Sequence, residues 1–263
     1  YCMSTFIDQT GRTITLEKTP ARIISLVPSQ TELLFYLGLD KEVIGITRFC
    51  VHPELWFRTK TRIGGTKQLK TDLIHQLHPD LIIANKEENI KEQVEELATR
   101  YPVWVSDVNN LEDAYEMIHS IANMVGKTVE GTELNAKIQF EFDQLKTIDN
   151  KIRTAYLIWK EPYMTVGGDT FIHSMLAAAG LENIFANRIR YPEINVEELK
   201  AIHPELVLLS SEPYPFQQKH IDELQSALPQ TKIILADGEM FSWYGSRLEK
   251  APAYFSKLRN QLN

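Results

Sequence analysis

Residues 72–83 read DLIHQLHPDLII, and residues 197–208 read EELKAIHPELVL. An acidic residue opens each segment, the apolar, His, Pro, acidic and Leu positions coincide, and apolar strand residues follow. The proline ends each helix because the residue before a proline is pushed out of the α region. Any two helix–proline–strand segments share part of this pattern, but a match at so many positions predicts that the two halves of the chain are related lobes.

Strand and helix signals alternate on both sides of this repeat. A β-branched run at Arg22–Val27 predicts a buried strand, and Ser29 with Glu32 three residues later predicts a helix that begins with a capping box. In the second half, Ala155–Trp159 and Thr170–Ala179 predict a strand and a helix in the same order. This alternation is typical of an α/β fold with parallel sheets, so we expect two Rossmann-like lobes.

A long helical pattern occupies the middle of the chain, from about Val129 to Ile152. An ordinary surface helix would show the same amphipathic stripe, but the position between two α/β blocks favours a rigid connection. We therefore expect an N-terminal lobe at residues 1–126, a connecting helix at 127–152 and a C-terminal lobe at 153–263, with a ligand cleft between the lobes. The apolar residues on the stripe are Leu134, Ile138, Phe142, Leu145 and Ile148.

The composition excludes some classes of function. The chain has 263 residues and a formal net charge of −7. Nucleic-acid binding needs a basic face that neutralises phosphates, and none is visible, so we expect no nucleic-acid partner. No apolar run reaches the roughly 18 to 20 residues that a membrane span requires. We expect a monomeric protein with a small-molecule ligand.

Two interpretations of the first residues remain open. Either a signal peptide has been removed and Cys2 lies near a lipidation site, or Met3 is the native start and Tyr1-Cys2 is an addition. The first places the protein in the periplasm or anchors it to the membrane outside the cytoplasm. The second allows a cytoplasmic location, since no signal peptide is visible. For Cys50 we expect a small semi-buried thiol.

Polar and aromatic residues follow the predicted strands in both halves. Ligands of open α/β sheets bind outside the carboxyl ends of the strands, so these loops are the predicted ligand site. Loop packing would explain any one aromatic side chain, but their recurrence in several loops favours a large planar or amphiphilic ligand. The candidate ligand-binding residues are Ser29, Gln30, Arg48, Phe49, Thr66, Lys67, Asn85, Lys86, Trp159, Lys160, Met164, Tyr191, Glu212, Tyr214, Phe241, Trp243, Tyr244 and Arg247.

Motifs for catalysis or metal binding are weak. The glycine-containing segments at 64–67 and 167–169 lack the spacings of P-loops and dinucleotide sites, and no G-x-S-x-G elbow is present. His75 and His78 form an H-x-x-H pair, but the repeat has a counterpart only for His78, at His203, and we interpret both as helix C-terminal residues. We therefore predict no catalytic residue, no metal ligand and no intrinsic cofactor.

Four segments resemble the helical-backbone substrate-binding proteins of ABC importers, with the cobalamin-binding members nearest in pattern. The resemblance covers the chain from about Arg22 to the C-terminus. It implies two Rossmann-like lobes with a single connecting helix, limited hinge motion, and a ligand such as a corrinoid or iron–siderophore chelate. The segments are RIISLVPSQTE at Arg22–Glu32, Gly38, LHPDLIIA at Leu77–Ala84 and GLENIF at Gly180–Phe185.

The resemblance also implies a partner. Asp72 and Glu197 match the two surface carboxylates, one per lobe, that contact arginines of the permease in that family. Arg–carboxylate pairs suit such a contact because their hydrogen bonds are charge-assisted. The alternative is that both residues are simply acids at helix N-termini, where the helix dipole favours them. Asp72 is shorter than the glutamate that the family usually carries.

Other positions depart from the cobalamin-binding pattern. Tyr191 stands where an aromatic ligand contact is expected, but Thr66 and Asn85 replace tryptophans that flank cobalamin. The family disulfide is absent, with Ala179 at one of its positions. These differences leave an iron–siderophore, haem or another chelate open as the ligand.

Two alternatives belong to other functional classes. A direct metal-ion receptor would need at least three ligands that converge from both lobes, and we find no convincing set. A cytoplasmic enzyme or cofactor-handling protein of the same fold would need a reactive pair of residues in the cleft, and none is evident.

Overall fold

The computed structural model describes residues 3–146 and 149–262, and these form two compact units. Unit 1 contains residues up to Val108, Glu112–Ile138 and Tyr244–Arg247. Unit 2 contains Asn109–Leu111, Gln139–Trp243 and the residues from Leu248 onward. Within the described ranges, no helix has the length and apolar character that crossing a bilayer would require.

Unit 1 is built on a parallel sheet of five strands, in the order β5-β4-β3-β6-β7, with a separate antiparallel hairpin, β1-β2. The strands are β1 (Ser4–Ile7), β2 (Thr13–Leu16), β3 (Ile23–Ser25), β4 (Val43–Ile46), β5 (Thr61–Arg62), β6 (Leu81–Asn85) and β7 (Val103–Ser106). The helices along this part of the chain are α1 (Pro28–Tyr36), α2 (Glu54–Thr59), α3 (Thr71–Leu77), α4 (Lys91–Ala98), α5 (Leu111–Met124) and α6 (Thr128–Asp143).

Unit 2 is built on a parallel sheet of four strands, in the order β10-β8-β12-β13, and β9 pairs with β11 in a small antiparallel ribbon. The strands are β8 (Ile152–Leu157), β9 (Tyr163–Met164), β10 (Leu181–Asn183), β11 (Glu193–Ile194), β12 (Leu206–Ser210) and β13 (Lys232–Ala236). The helices are α7 (Phe171–Ala178), α8 (Val196–Ile202), α9 (Gln218–Ala227), α10 (Glu239–Ser242) and α11 (Ala251–Leu262), with a 3₁₀ turn at Ser246–Glu249.

The central strands of both sheets are largely apolar. Every residue of β3, β6 and β12 is buried. Strands that helices cover on both faces read as continuous apolar runs rather than as alternating patterns. This confirms the prediction of an α/β fold in which two units each carry a parallel sheet.

The sequence repeat at residues 72–83 and 197–208 is also a structural repeat. The strand order β4-β3-β6-β7 of unit 1 corresponds to β10-β8-β12-β13 of unit 2. Helices α3 and α8 both have seven residues and end at a histidine in the left-handed region, His78 with φ 44° and His203 with φ 53°. Left-handed backbone at a helix end stops the helix and turns the chain, so each histidine directs the following proline toward the next strand.

An arginine fixes the end of each repeated helix. Arg22 Nε donates to the carbonyl oxygens of Leu77 and His78, each at 3.1 Å. Arg153 makes the corresponding bonds to the carbonyl oxygens at the end of α8, each at 3.0 Å. These carbonyls have no partner within their helix, and a cation near them is favoured by the helix dipole. The two arginines therefore fasten α3 and α8 to the strands β3 and β8 that precede them.

Two local predictions are wrong. Helix α1 begins at Pro28, with no side-chain cap, because proline is well suited to the first helical position, where no N–H bond is needed. The middle helix, α6, ends at Asp143, and the following residues up to Lys146 are not helical. Of the predicted stripe, Ile148 lies outside the described residues. That this segment joins two lobes, with boundaries at 126 and 153, and that a ligand cleft lies between them, stay predictions.

Candidate ligand-binding surfaces

In unit 1, a cation–aromatic pair follows β4. The Arg48 guanidinium lies 4.9 Å from the centre of the Phe49 ring, and Phe49 is 48% exposed. Both side chains lie against Gly65, where a Cβ atom would come within 3.1 Å of the Phe49 ring and 3.3 Å of Arg48 Nε. Because Gly65 has no side chain, Arg48 and Phe49 can pack against its backbone, and a ring with a positive charge beside it lies at the surface.

The two lysines predicted in unit 1 are tied to their surroundings. Lys67 Nζ donates to the carbonyl oxygen of Glu87 at 2.6 Å. Lys86 Nζ pairs with Asp107 at 2.5 Å. Exposed pairs of this kind contribute little to stability, so both ammonium groups can exchange their partners for a ligand at small cost. Thr66 is half-buried, and its carbonyl oxygen accepts a hydrogen bond from Asn89 at 3.1 Å.

Three predicted polar residues of unit 1 lie in its interior. Asn85 holds the loop after β6, because its Oδ1 accepts from the backbone N–H groups of Glu87 and Glu88 at 2.9 and 3.0 Å. Gln30 is fully buried and donates to Ser106 Oγ, and Ser29 is 3% exposed. These side chains are buried near the carboxyl end of the sheet, so their polar atoms are not at the surface.

Arg247 and Tyr244 are also buried. Arg247 is 8% exposed, and its Nε and Nη2 atoms donate to the two carboxylate oxygens of Glu32 at 2.9 and 2.7 Å. Tyr244 is 6% exposed, and its hydroxyl donates to Glu88 at 3.4 Å. The guanidinium that we predicted as a ligand contact is therefore engaged in a bidentate ion pair inside unit 1.

In unit 2, an aromatic cluster reaches the surface after β8. Trp159 is 40% exposed and lies edge-on to Tyr214, with ring centres 5.6 Å apart. Tyr214 in turn packs against Phe216 at 4.7 Å and against His220 at 5.4 Å. The Trp159 indole thus packs against an internal cluster, and its exposed part can contact a ligand.

Met164 and Lys160 lie next to Trp159, through a backbone hydrogen bond and in sequence respectively, and both are half-buried. Met164 is half-buried, and its backbone N–H donates to the carbonyl oxygen of Trp159 at 3.1 Å. Lys160 donates to Glu223, and this hydrogen bond raises the pKa of the lysine, so Lys160 stays charged at neutral pH. Tyr191 is half-buried elsewhere in unit 2, with the Arg190 guanidinium 5.8 Å from its ring centre.

The Glu212 carboxylate accepts a hydrogen bond from the indole of Trp243. Its Oε1 accepts from Trp243 Nε1 at 2.8 Å and from Ser242 Oγ at 2.7 Å. Burial raises the pKa of Glu212, and the nearby carboxylate of Glu239 adds to the shift. Trp243 is only 6% exposed. The pair is thus an internal hydrogen-bonded unit with a carboxyl group that takes up a proton more readily than an exposed glutamate.

Phe241 lies in the core of unit 2. It is fully buried, with its ring centre 5.2 Å from that of Tyr156 and 4.9 Å from that of Phe255. Packing in the core therefore accounts for the Phe241 side chain, which is not accessible to a ligand at the surface.

Replacing Glu212 with glutamine should stabilise the protein at neutral pH. Because burial raises the pKa of Glu212 above its ordinary value of 4.5, the folded state binds this proton more tightly than the unfolded chain does. The corresponding stability is complete below pH 4.5 and is lost as the pH rises through the raised pKa. Glutamine stays neutral and keeps an oxygen acceptor for Trp243. Urea-unfolding midpoints of the variant should exceed those of the wild type at neutral pH and converge with them in acid.

The exposed Glu182 of β10 provides the matched control. Glu182→Gln should leave the urea midpoint nearly unchanged, because this side chain is exposed on the surface. A midpoint difference for Glu212→Gln that stayed constant from acid to neutral pH would contradict the assignment.

The two predicted docking residues occupy equivalent positions. Asp72 is the second residue of α3 and Glu197 the second residue of α8, and both are exposed. Glu197 pairs with Lys200 of the same helix at 2.8 Å. Such a pair within one helix is weak, so it can give way to an arginine of a partner.

Cysteine and histidine do not form a metal centre in the described ranges. There, no group of three His, Cys, Asp or Glu side chains could hold a metal ion. Cys50 is fully buried, and burial raises the pKa of its thiol to about 11. The thiol therefore stays protonated at neutral pH, bound to Thr31 and Thr47. Cys2 lies outside the described residues.

Two charged residues that bind groups far away along the chain were missed in the sequence analysis. Glu32 and Arg153 are half-buried charged residues, and each binds a group that is distant in the sequence. A charged side chain beside an apolar helical stripe was the available signal for Glu32, but its partner lies 215 positions away.

Comparison with known proteins places the chain in a family. A family model described as periplasmic binding protein matches residues 23–231. The vitamin B12-binding protein of Vibrio parahaemolyticus is 27% identical over 203 residues, which cover 75% of this chain and 74% of that protein. The uncharacterized ABC transporter substrate-binding lipoprotein YvrC of Bacillus subtilis is 24% identical over 217 residues, which cover 78% and 68%, respectively.

Solved structures share the fold. The siderophore binding protein BauB, bound to a complex between two molecules of acinetobactin and ferric iron, matches with a TM-score of 0.80 and 16% identity, over 97% of this chain and 98% of that chain. At this identity the likeness concerns the fold. The matching family model, which covers most of the chain, confirms the resemblance first drawn from four short segments: the chain belongs to the periplasmic binding protein family.

Proposed function

We propose that this chain captures a metal chelate outside the cytoplasm and delivers it to an ABC importer. The chelate is a corrinoid, an iron–siderophore or a haem-like molecule. Its family and the ligands named for its relatives support this class, since a vitamin B12-binding protein and a ferric-siderophore-binding protein are among them. The chain acts in this proposal by binding and release, without catalysis.

The observation that carries the proposal is the exposed indole of Trp159. Tyr214 packs against this indole, and the indole exposes apolar area to water. A planar ligand that covered the exposed area would remove the free-energy cost of that exposure. Trp159 lies just after the carboxyl end of β8, where ligands of open α/β sheets bind. Arg48 and Phe49 offer the corresponding combination in unit 1, a ring with a positive charge beside it.

The charges on these surfaces favour a ligand with anionic groups. Arg48, Lys67 and Lys86 are exposed on unit 1, and each can bind a carboxylate, a phosphate or a phenolate-type oxygen. Corrinoids carry a phosphate, haem carries carboxylates, and many iron chelators carry oxygen anions. The proposed ligand-binding residues are accordingly those at the surface: Arg48, Phe49, Thr66, Lys67, Lys86, Trp159, Lys160, Met164, Tyr191 and Tyr214.

A panel of chelates tests the proposal. Aquocobalamin, ferric siderophores and haemin should be titrated against the purified chain while tryptophan fluorescence and the melting temperature are recorded. We expect at least one chelate to quench the fluorescence and to raise the melting temperature, because a ligand that binds only the folded state stabilises it. A panel that changed neither quantity would refute the proposal.

Substitution of Trp159 should weaken binding without unfolding the protein. We expect Trp159→Ala to lower the affinity for the bound chelate by about tenfold or more, which corresponds to roughly 1.4 kcal/mol. Phe140, an aromatic residue of α6 that is 61% exposed, gives the control: Phe140→Ala should bind as the wild type does. Equal affinities for the Trp159 and Phe140 variants would remove Trp159 from the site.

The importer contact belongs to the same proposal. We assign it to Asp72 and Glu197, the exposed second residues of α3 and α8. Two carboxylates at equivalent positions of two related units would suit a permease with a pair of arginines. The lipoprotein designation of one relative supports a location outside the cytoplasm.

A further inference from the structure

A cavity lies in unit 1, at the amino ends of the strands of its sheet. Its volume is about 360 Å³, and its walls are residues 12–15 of the hairpin, Ala98 and residues 100–103. Residues 100–103 lead into β7 at its amino end, whereas the candidate ligand-binding loops follow the carboxyl ends of the strands. The cavity is therefore separate from the surfaces proposed to bind a chelate, and its role does not depend on that proposal.

The lining of this cavity is basic. Two of its nine lining residues, Arg12 and Arg100, are arginines, and none of the nine is acidic. Thr13 and Thr15 lie on one face of β2, because side chains alternate along a strand, and both line the cavity. Their hydroxyl groups add donors and acceptors beside the two guanidinium groups.

Arg12 is held so that one of its nitrogens lacks a partner. Its Nε donates to Asp8 Oδ2 at 3.0 Å. Asp8 also accepts from the backbone N–H groups of Thr10, Arg12 and Val105 at 2.9, 2.9 and 3.2 Å, so its carboxylate is fully engaged. Within the described ranges, Arg12 Nη2 is buried and has no hydrogen-bond partner. The Arg12 side chain as a whole is 37% exposed and lines the cavity, so its guanidinium contributes positive charge to an anion bound there.

We propose that this cavity binds a small oxyanion, a phosphate or a carboxylate, through Arg12 and Arg100. The exposed guanidinium of Arg100 can bind either anion through two parallel N–H bonds, which a lysine cannot do. Arg12 is pre-oriented by Asp8, whose side chain is completely buried. Arg100 is exposed and supplies the charge that Asp8 does not neutralise.

Titration calorimetry with inorganic phosphate, and separately with citrate, tests the site on the full chain. We expect saturable binding of one of the two anions with a dissociation constant on the order of 1 mM, or about −4 kcal/mol. Arg100→Gln should weaken this binding about fivefold or more, because it removes an exposed guanidinium and leaves the fold intact. Arg58→Gln, on α2 of the same unit, is the control and should bind as the wild type does.

The outcomes separate clearly. Saturable binding that Arg100→Gln and Thr13→Val both weaken supports the site. Absence of saturable binding for both anions at tens of millimolar would overturn it, as would binding that Arg100→Gln leaves unchanged, since the anion would then occupy another place. Chelate titrations of Arg100→Gln should match those of the wild type, so this site and the proposed function can fail independently.

Discussion

Replacing Arg247 with methionine should lower the free energy of unfolding by about 3 to 5 kcal/mol. The Arg247 and Glu32 side chains are 9% and 16% exposed, and the two form a bidentate ion pair. Methionine keeps the length of the side chain but leaves the Glu32 carboxylate without its partner, and an uncompensated buried charge is strongly destabilising. Urea-unfolding curves of the two proteins at neutral pH measure the difference.

The ion pair between Arg58 and Glu54 provides a matched control. Both side chains are 72% exposed, so Arg58→Met should change the unfolding free energy by no more than about 0.5 kcal/mol. The double variant Arg247→Met with Glu32→Leu should recover much of the lost stability, because no charge then stays buried. If Arg247→Met unfolded like the wild type but bound chelates poorly, the residue would be a ligand contact, as the sequence first suggested.

Charge reversal at Asp72 and Glu197 together should strongly reduce ligand uptake in cells while leaving ligand binding intact. Both side chains are exposed at the first turns of α3 and α8, so lysine at these positions does not disturb a core. Facing arginines of a permease, two lysines would replace attraction by repulsion, which costs several kcal/mol at an interface. We expect uptake of the bound chelate to fall by more than about tenfold, measured with the double variant in the native host.

Glu92, the second residue of α4, is the control for this experiment. It is exposed at the same position of its helix as Asp72, so Glu92→Lys reproduces the charge change and any effect on the helix dipole. Uptake should persist in this variant. Normal uptake by the Asp72 and Glu197 double variant would show that the permease binds elsewhere, and lost chelate affinity of the purified variant would show that the residues serve the ligand.

Much of the fold could be predicted because its signals are local. A helix that ends before Pro79 was predicted, and α3 spans Thr71–Leu77, since proline two residues later forbids its continuation. The strand β3 follows from an apolar β-branched run. The start of α1 was misjudged because Ser29 and Pro28 both suit a helix start, and proline occupies the first turn. Where two neighbouring residues both suit a helix start, the sequence alone does not show which of them begins the helix.

The candidate site was less predictable. Trp159 and Phe241 both follow a predicted strand, and both were predicted to bind the ligand, but one is 40% exposed and the other is fully buried. Phe241 packs against Phe255 of the last helix, which no local pattern around residue 241 could reveal. Arg247 lies in the 3₁₀ turn after α10, and its charge is engaged by Glu32, from the first helix of the chain.

The sequence by itself determined the α/β alternation, the repeated helix–His-Pro–strand unit and the family. These features depend on residue order within a dozen positions, where backbone sterics and side-chain periodicity act directly. Only the tertiary structure decided which aromatic and charged side chains remain at the surface. Burial and ion pairing depend on neighbours that the fold brings from distant positions, as Glu32 is brought to Arg247 and Asp8 to the start of β7. That is why the fold could be inferred from short segments and the binding surfaces could not.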